Sequence, residues 1–401
     1  MSVLPPPRRG IDQGITLIRP EPGPTTLKRV PWGGRRLAAL RGRGEPPTTT
    51  AAGPNDELPI GESWEFSTLA GSESRTQGRA LSEVLGGPLP FLAKLIDTAA
   101  PLSIQVHPED DPVSGRLGKE EAWIVLDAEP GASVLAGAAD GVRDDDLARA
   151  MEEAIARPER GAVLLEALRK IPVERGMVIL VPAGTVHSIG AGILLAEIQQ
   201  PTDCTHRLFD YGSDRPIHPE AARAAWRIDA QPRIWRPGEP SGSLQGRHLT
   251  LHVQTPGEAT LSEAMLGEEA LGGQRAVQGG SGRGSAGASG TEAGRYGGGE
   301  TEGPRLLVAV GEGVRLYGPG PEGSSPASPV ESNADCADAP RPDVRSGRTP
   351  GYDSTGARNH ESLSSEDGIA MAHGDLLLHT GGSLRVGVDE DALLVSGAIR
   401  P

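Results

Sequence analysis

The apolar residues of this chain come in short runs separated by Gly, Pro and Asp, and that spacing limits the fold more than any other feature. Phe91–Ile96, Leu102–Val106, Ala122–Leu126, Met177–Val181 and Ile193–Ile198 are each a few residues long. Runs of this length between turn-forming residues read as β-strands. Residues 143–170 differ. Leu147, Met151 and Ile155, then Val163, Leu164 and Leu168, follow a three- and four-residue spacing broken at Pro158 and Gly161. That pattern predicts a pair of helices inserted between strands, and a short helix is expected at Pro219–Trp226.

Beyond residue 240 the apolar runs thin to His248–Val253, Arg305–Val310, Leu376–His379 and Ala392–Val395. Between them lie Gly/Ser-rich stretches at 270–304 and 318–368, too polar to offset the entropy of ordering, so disordered insertions are expected there. Residues 1–27 are Pro-rich and expected to run extended over the surface, and Gly42–Pro59 reads as a loop. The expected organisation is an extended segment (1–29), a β-domain with the helical insertion (30–240) and a smaller β-domain (241–401). Aromatic residues make up only 3% of the chain, so Leu, Ile, Val and Ala must fill the core.

A formal charge of −15 argues against general nucleic-acid binding, which needs a basic surface. The two cysteines, Cys204 and Cys336, form neither a disulfide framework nor a CxxC pair, which points to a reducing, cytoplasmic compartment. The opening MSVLPPPRRG lacks the apolar core of a signal peptide, and no run of about 18 apolar residues suggests a membrane helix.

The densest chemistry lies in SIQVHPEDD (103–111). On a strand, Gln105 and His107 project to the same face. GKEEAWIVL (118–126) enters the next strand with Glu121 and Trp123 on one face and Glu120 and Ala122 on the other. A carboxylate there is either a solvated strand end or an oxygen ligand. In VPAGTVHSIGAG (181–192) a turn at Pro182 and Gly184 delivers His187 to a third strand. Gln, His, Glu and His suit a divalent transition metal, with zinc the first choice and iron or manganese open on ligand types alone.

The Pro-x-Gly-x-x-His turn resembles the second signature motif of cupins. GESWEFST (61–68), PFLAKLIDTAAPLSIQVHPEDD (90–111), GKEEAWIVL and VPAGTVHSIGAGILLAEIQQPTDCTHRLFDYG (181–212) together resemble type I phosphomannose isomerases, as does VPWGGRRLA (30–38). These motifs occur in the family's order over most of residues 30–225. The resemblance implies a mainly β fold: a cupin jelly-roll barrel with an inserted helical segment and a second, smaller, degenerate cupin-like β-domain. AHGDLLLHTGG (372–382) resembles a Gly-Asp hairpin of that second domain.

Carried over by position, the resemblance implies one Zn²⁺ held by Gln105, His107, Glu121 and His187. It implies active-site roles for Lys119, Arg207, Glu197 and Asp203, and a phosphosugar pocket that includes Lys94 and Ser103. Glu197, Asp203 and Lys119 all stand as candidates for the general base. Two residues depart from the family: Glu120, where Thr or Pro is usual, and His206, where an aromatic is usual. The implied activity is interconversion of mannose 6-phosphate and fructose 6-phosphate through an enediol-type proton transfer. A cupin isomerase for another sugar phosphate, an iron-dependent oxygenase and a silent sugar-phosphate sensor are the alternatives. The expected partner is a small sugar phosphate, with no nucleic acid and no membrane, and a monomer is slightly favoured. Trp32, Trp64 and Trp123 read as core or cavity wall, and Glu109 as a solvated turn residue.

Overall fold

The computed structural model describes residues 17–37, 58–261, 304–317 and 369–399, apart from 22, 312–313 and 380–383. The expectations for residues 1–16, for 42–57, for nearly all of 270–304 and for 318–368, Cys336 included, lie outside the described residues.

Among the described residues the chain is mainly β, in four stacked sheets and a two-stranded hairpin. A seven-stranded sheet runs in the order Arg233–Trp235, Val178–Val181, Glu121–Ala128, Ile193–Gln199, Leu92–Asp97, Ile60–Phe66 and Leu27–Arg29. A five-stranded sheet contains Leu168–Pro172, Ser133–Ala138, His187–Ile189, Ile104–Val106 and His206–Phe209. Their inner faces enclose Ile96, Trp123, Val125, Val134, Ile179 and Leu195. All ladders in both sheets are antiparallel, as a jelly roll requires.

The C-terminal strands form a second pair of sheets. Six strands, including Leu249–Gln254, Arg305–Val310, Leu376–His379 and Leu393–Ile399, pack on four others built around Leu384–Val388 and Val314–Tyr317. The two pairs are joined by one continuous core. Ala122, Ile124, Ala196 and Ile198 on the outer face of the seven-stranded sheet meet Leu249, Leu251, Leu306, Val308 and Val395 of the six-stranded sheet. A Cβ at Gly397 would sit 3.1 Å from Ile198, so a glycine there lets the sheets approach closely.

Strands buried on both faces cannot alternate apolar and polar residues, which explains why these segments read as continuous apolar runs. The inserted helices, Asp144–Ala156 and Ala162–Glu166, lay Leu147, Met151, Ala154 and Leu164 over Ile104, Val106 and Leu208 on the outside of the five-stranded sheet. Pro219–Ala225 covers the same side through Ala222, with Trp226 just beyond it. One expectation needs correction. Leu17–Ile18 does not lie over the surface: both residues are buried and pair with Leu378 and His379, because two adjacent apolar side chains complete the edge of the six-stranded sheet. No described helix is long and apolar enough to cross a membrane.

Candidate metal centre and substrate pocket

Strand alternation and register bring the candidate residues together between the seven- and five-stranded sheets. In the five-stranded sheet His187 and Arg207 both lie opposite Gln105. In the seven-stranded sheet Glu197 lies between Lys94 and Trp123, Lys94 lies opposite Trp64, and Gln199 lies opposite Glu121. Directly opposed residues share a face. The turn before His187 is tied to His107 by a Gly184 amide donated to the His107 carbonyl at 2.8 Å. Gly184 has φ 83°, and a Cβ there would meet Arg227 at 2.8 Å, so the turn requires glycine.

His107, Glu121 and His187 are buried, and their candidate ligand atoms lie within 4.8 Å of one another. His107 Nδ1 faces the Cys204 carbonyl at 2.9 Å and His187 Nδ1 faces the Thr185 carbonyl at 2.9 Å. A carbonyl only accepts, so each Nδ1 carries the hydrogen and each Nε2 presents a lone pair. Those lone pairs lie 3.3 Å from Glu121 Oε2 and Oε1, respectively. The acceptors converge on one point, with the Lys119 ammonium beside them, and together they could hold a metal ion. Two oriented neutral imidazoles and a carboxylate fit a divalent transition metal. Gln105 borders the same centre, with its amide nitrogen 3.2 Å from His187 Nε2 and its oxygen accepting from Ser103 Oγ at 3.3 Å.

Protonation follows from burial and neighbours. Desolvation, then the Lys119 charge, pushes His107 down to about 3, and burial also lowers His187. Burial alone would raise Glu121, but Lys119 and the two histidines outweigh it and hold the carboxyl well below its usual range. Lys119 Nζ donates to Glu121 Oε2 at 2.6 Å, lies 3.0 Å from His107 Nε2 and stands 3.7 Å from Glu197.

A second group of charges adjoins the first. Lys94 is buried, 3.2 Å from Glu197 and 3.7 Å from Glu62. Burial works against its charge, but Glu197, Glu62 and Glu121 prevail and raise its pKa. Half-buried Arg207 makes no ion pair among the described residues; its strongest neighbours are Arg215, Asp210 and Glu62. Asp203 is exposed at the edge, within the field of Lys28. His206 packs edge-on against His218, with ring centroids 6.2 Å apart.

Sequence reading missed Glu62 and Lys28. Glu62 accepts from Trp64 Nε1 at 2.8 Å, and Lys28 Nζ lies 4.3 Å from the Trp64 ring, with Lys94 Nζ 5.1 Å from it. Trp64 is therefore a wall between cations rather than plain core. Alternation would place Glu62 and Trp64 on one face, but their pairing with Lys94 is set by a strand about thirty residues away. Trp32 and Trp123 lie in the core as expected, and Trp123 meets the His187 ring at 5.5 Å. Glu109 is exposed, as expected of a turn residue, and paired with Arg227 at 3.2 Å. Glu120 turns away from the centre, and its carboxylate accepts from the amides of Arg247, His248 and Leu249.

Residues 62–122 match the family model for the catalytic domain of phosphomannose isomerase type I. A mannose-6-phosphate isomerase of Streptococcus mutans is 30% identical over 241 residues, covering 56% of this chain and 72% of that protein. Mannose-6-phosphate isomerase ManA of Bacillus subtilis is 36% identical over 171 residues, covering 38% of this chain, so the match spans about half (51%) of that relative's length. The crystal structure of the mannose 6-phosphate isomerase from Bacillus subtilis superposes with a TM-score of 0.56 at 18% identity, over 96% of this chain and 99% of that one, a likeness of fold. The sequence match runs through the strands that carry Lys94, Gln105, His107 and Glu121, and the chain belongs to the type I phosphomannose isomerase family.

Proposed function

We propose that this chain is a zinc-dependent aldose–ketose isomerase interconverting mannose 6-phosphate and fructose 6-phosphate. The observation that carries the reading is the junction of two buried groups. The His107–Glu121–His187 donor set abuts the Lys94–Glu197–Lys119 charge chain through Lys119. Zn²⁺ would be held by His107, Glu121 and His187 with Gln105 beside them, and when bound it would supply an electrophile that polarises sugar oxygens.

The remaining steps belong to the side chains. Lys28, Lys94, Lys119 and Arg207 are matched around the pocket by Glu62, Glu121, Glu197 and Asp203. The side chains are thus close to electroneutral, and a bound divalent ion leaves an excess that suits a phosphate monoester of charge about −2. Arg207, with no carboxylate of its own, is the residue we assign to the phosphate or to developing oxyanion charge. Isomerisation moves a proton between C2 and C1 of the open-chain sugar. Glu197 is the base we favour: it is buried beside both lysines, whereas Asp203 is exposed. Lys119 would hold the charge that builds on the sugar oxygen as the proton leaves.

Incubation of the zinc-loaded chain with mannose 6-phosphate should yield fructose 6-phosphate. Glu197→Gln should abolish turnover while retaining the metal. A folded, zinc-loaded chain without turnover would redirect the reading to another sugar phosphate. Full activity in Glu197→Gln would remove that residue as the base.

A further inference from the structure

Glu120 stands between the two residues that face the metal centre, Lys119 and Glu121, yet points into the other half of the molecule. Its carboxylate is buried, and no cation pairs with it among the described residues. Oε1 accepts the amides of His248 at 2.9 Å and Leu249 at 2.7 Å, and Oε2 accepts that of Arg247 at 2.9 Å. Successive main-chain amides converging on one anion form a nest. The nest belongs to the turn between Gly242–Gln245 and Leu249–Gln254, in the six-stranded sheet. A Cβ on Gly246 would lie 2.2 Å from the Glu120 carboxylate, so this turn admits the side chain only with glycine at its start.

The main chain of Glu120 is fixed as well. Its amide donates to Gln200 Oε1 at 2.9 Å, and its carbonyl accepts from the Gln200 amide at 3.1 Å. Gln200 in turn donates to Asp110 at 3.0 Å, and Asp110 accepts from the Gly118 amide at 2.6 Å and pairs with His248 at 3.1 Å. The same turn therefore grips both segments that deliver ligands to the centre, His107–Asp111 and Gly118–Glu121.

We propose that Glu120 is a positioning residue, through which the turn Gly246–Leu249 of the second β-unit sets the placement of Lys119 and Glu121 at the metal centre. The proposal rests on the metal-centre reading and gives the second β-unit a role in the first unit's chemistry.

The test compares the full-length chain with Glu120→Gln, Gly246→Ala and the core control Val253→Ala. Glu120→Gln keeps the shape but turns an amide donor toward an amide donor. Zinc affinity by chelator competition should weaken about tenfold or more in Glu120→Gln and Gly246→Ala, with Val253→Ala unchanged at a matched fall in Tm. Equal weakening in all three would reduce the effect to general destabilisation and overturn the proposal. Hydrogen exchange on the metal-free chain supplies an independent arm. Glu120→Gln should speed exchange at 247–249 and also at 119–121, whereas acceleration confined to 247–249 overturns it. Failure of the wild type to bind zinc would count against the metal reading alone and leave the exchange arm to decide positioning.

Discussion

His107 and His187 each spend Nδ1 on a main-chain carbonyl, so their lone pairs are committed to the centre before any ion arrives. Replacing either by Ala should weaken zinc binding at least 100-fold by equilibrium dialysis, beyond the 10- to 100-fold typical of outer-shell changes. Binding within a few fold of wild type would remove that histidine from the ligand set. Lys94 carries a different kind of cost. It is the buried counter-charge for Glu197 and a neighbour of Glu62. Lys94→Met should destabilise the chain by up to roughly 3–5 kcal/mol in urea denaturation, because it removes the nearer of the two lysines beside a buried carboxylate and leaves only Lys119, 3.7 Å away. A loss under about 1 kcal/mol would show that Glu197 is neutralised elsewhere.

At the scale of elements, the strand that begins at Glu121 divides its work by face, with Glu121 and Trp123 inward and Ala122 and Ile124 toward the second β-unit. That division was legible from alternation alone, as were the strands themselves and the helical pair near 143–170. The partners of Glu120 were not legible, because Arg247–Leu249 lie more than 120 residues on and meet it only after the sheets stack. Glu62 escaped for the same reason: its pairing with Lys94 depends on register. Leu17–Ile18 was misread because two apolar residues among prolines give too short a pattern to show a strand.

Asp110 links the loop that follows His107 to the turn of the second unit, facing His248 and Arg247 there and Gln200 and the Gly118 amide on its own side. Burial would raise its pKa; Gly118, Gln200, His248 and Arg247 outweigh that and lower it. A carboxyl depressed in the folded state stabilises above its unfolded pKa of about 3.9, and that contribution is lost as pH falls through the folded value. The stability deficit of Asp110→Asn relative to wild type should therefore be full at pH 7, begin to shrink below about pH 4 and vanish only once the pH is below the folded value. A deficit unchanged down to pH 2.5 in denaturant titrations would mean that the charge is not what acts.

For the whole molecule, the core shared by the seven- and six-stranded sheets makes the two β-units one folding system. Ile198 is fully buried in that core, against Gly397 of the facing sheet. Ile198→Ala should cost about 2–5 kcal/mol while leaving a single cooperative transition. Two separated transitions would show that the units unfold independently. Joined sheets also bring the turn Gly246–Leu249 of the second unit against Glu120, next to the candidate metal centre of the first.

In the proposed function the buried His107–Glu121–His187 group holds a metal required for isomerising a sugar phosphate. The decisive measurement follows fructose 6-phosphate formation from mannose 6-phosphate with chelator-treated protein, before and after zinc is returned. Turnover that disappears with the metal and returns with about one zinc per chain is the predicted result. Undiminished turnover by protein shown to be metal-free would contradict it.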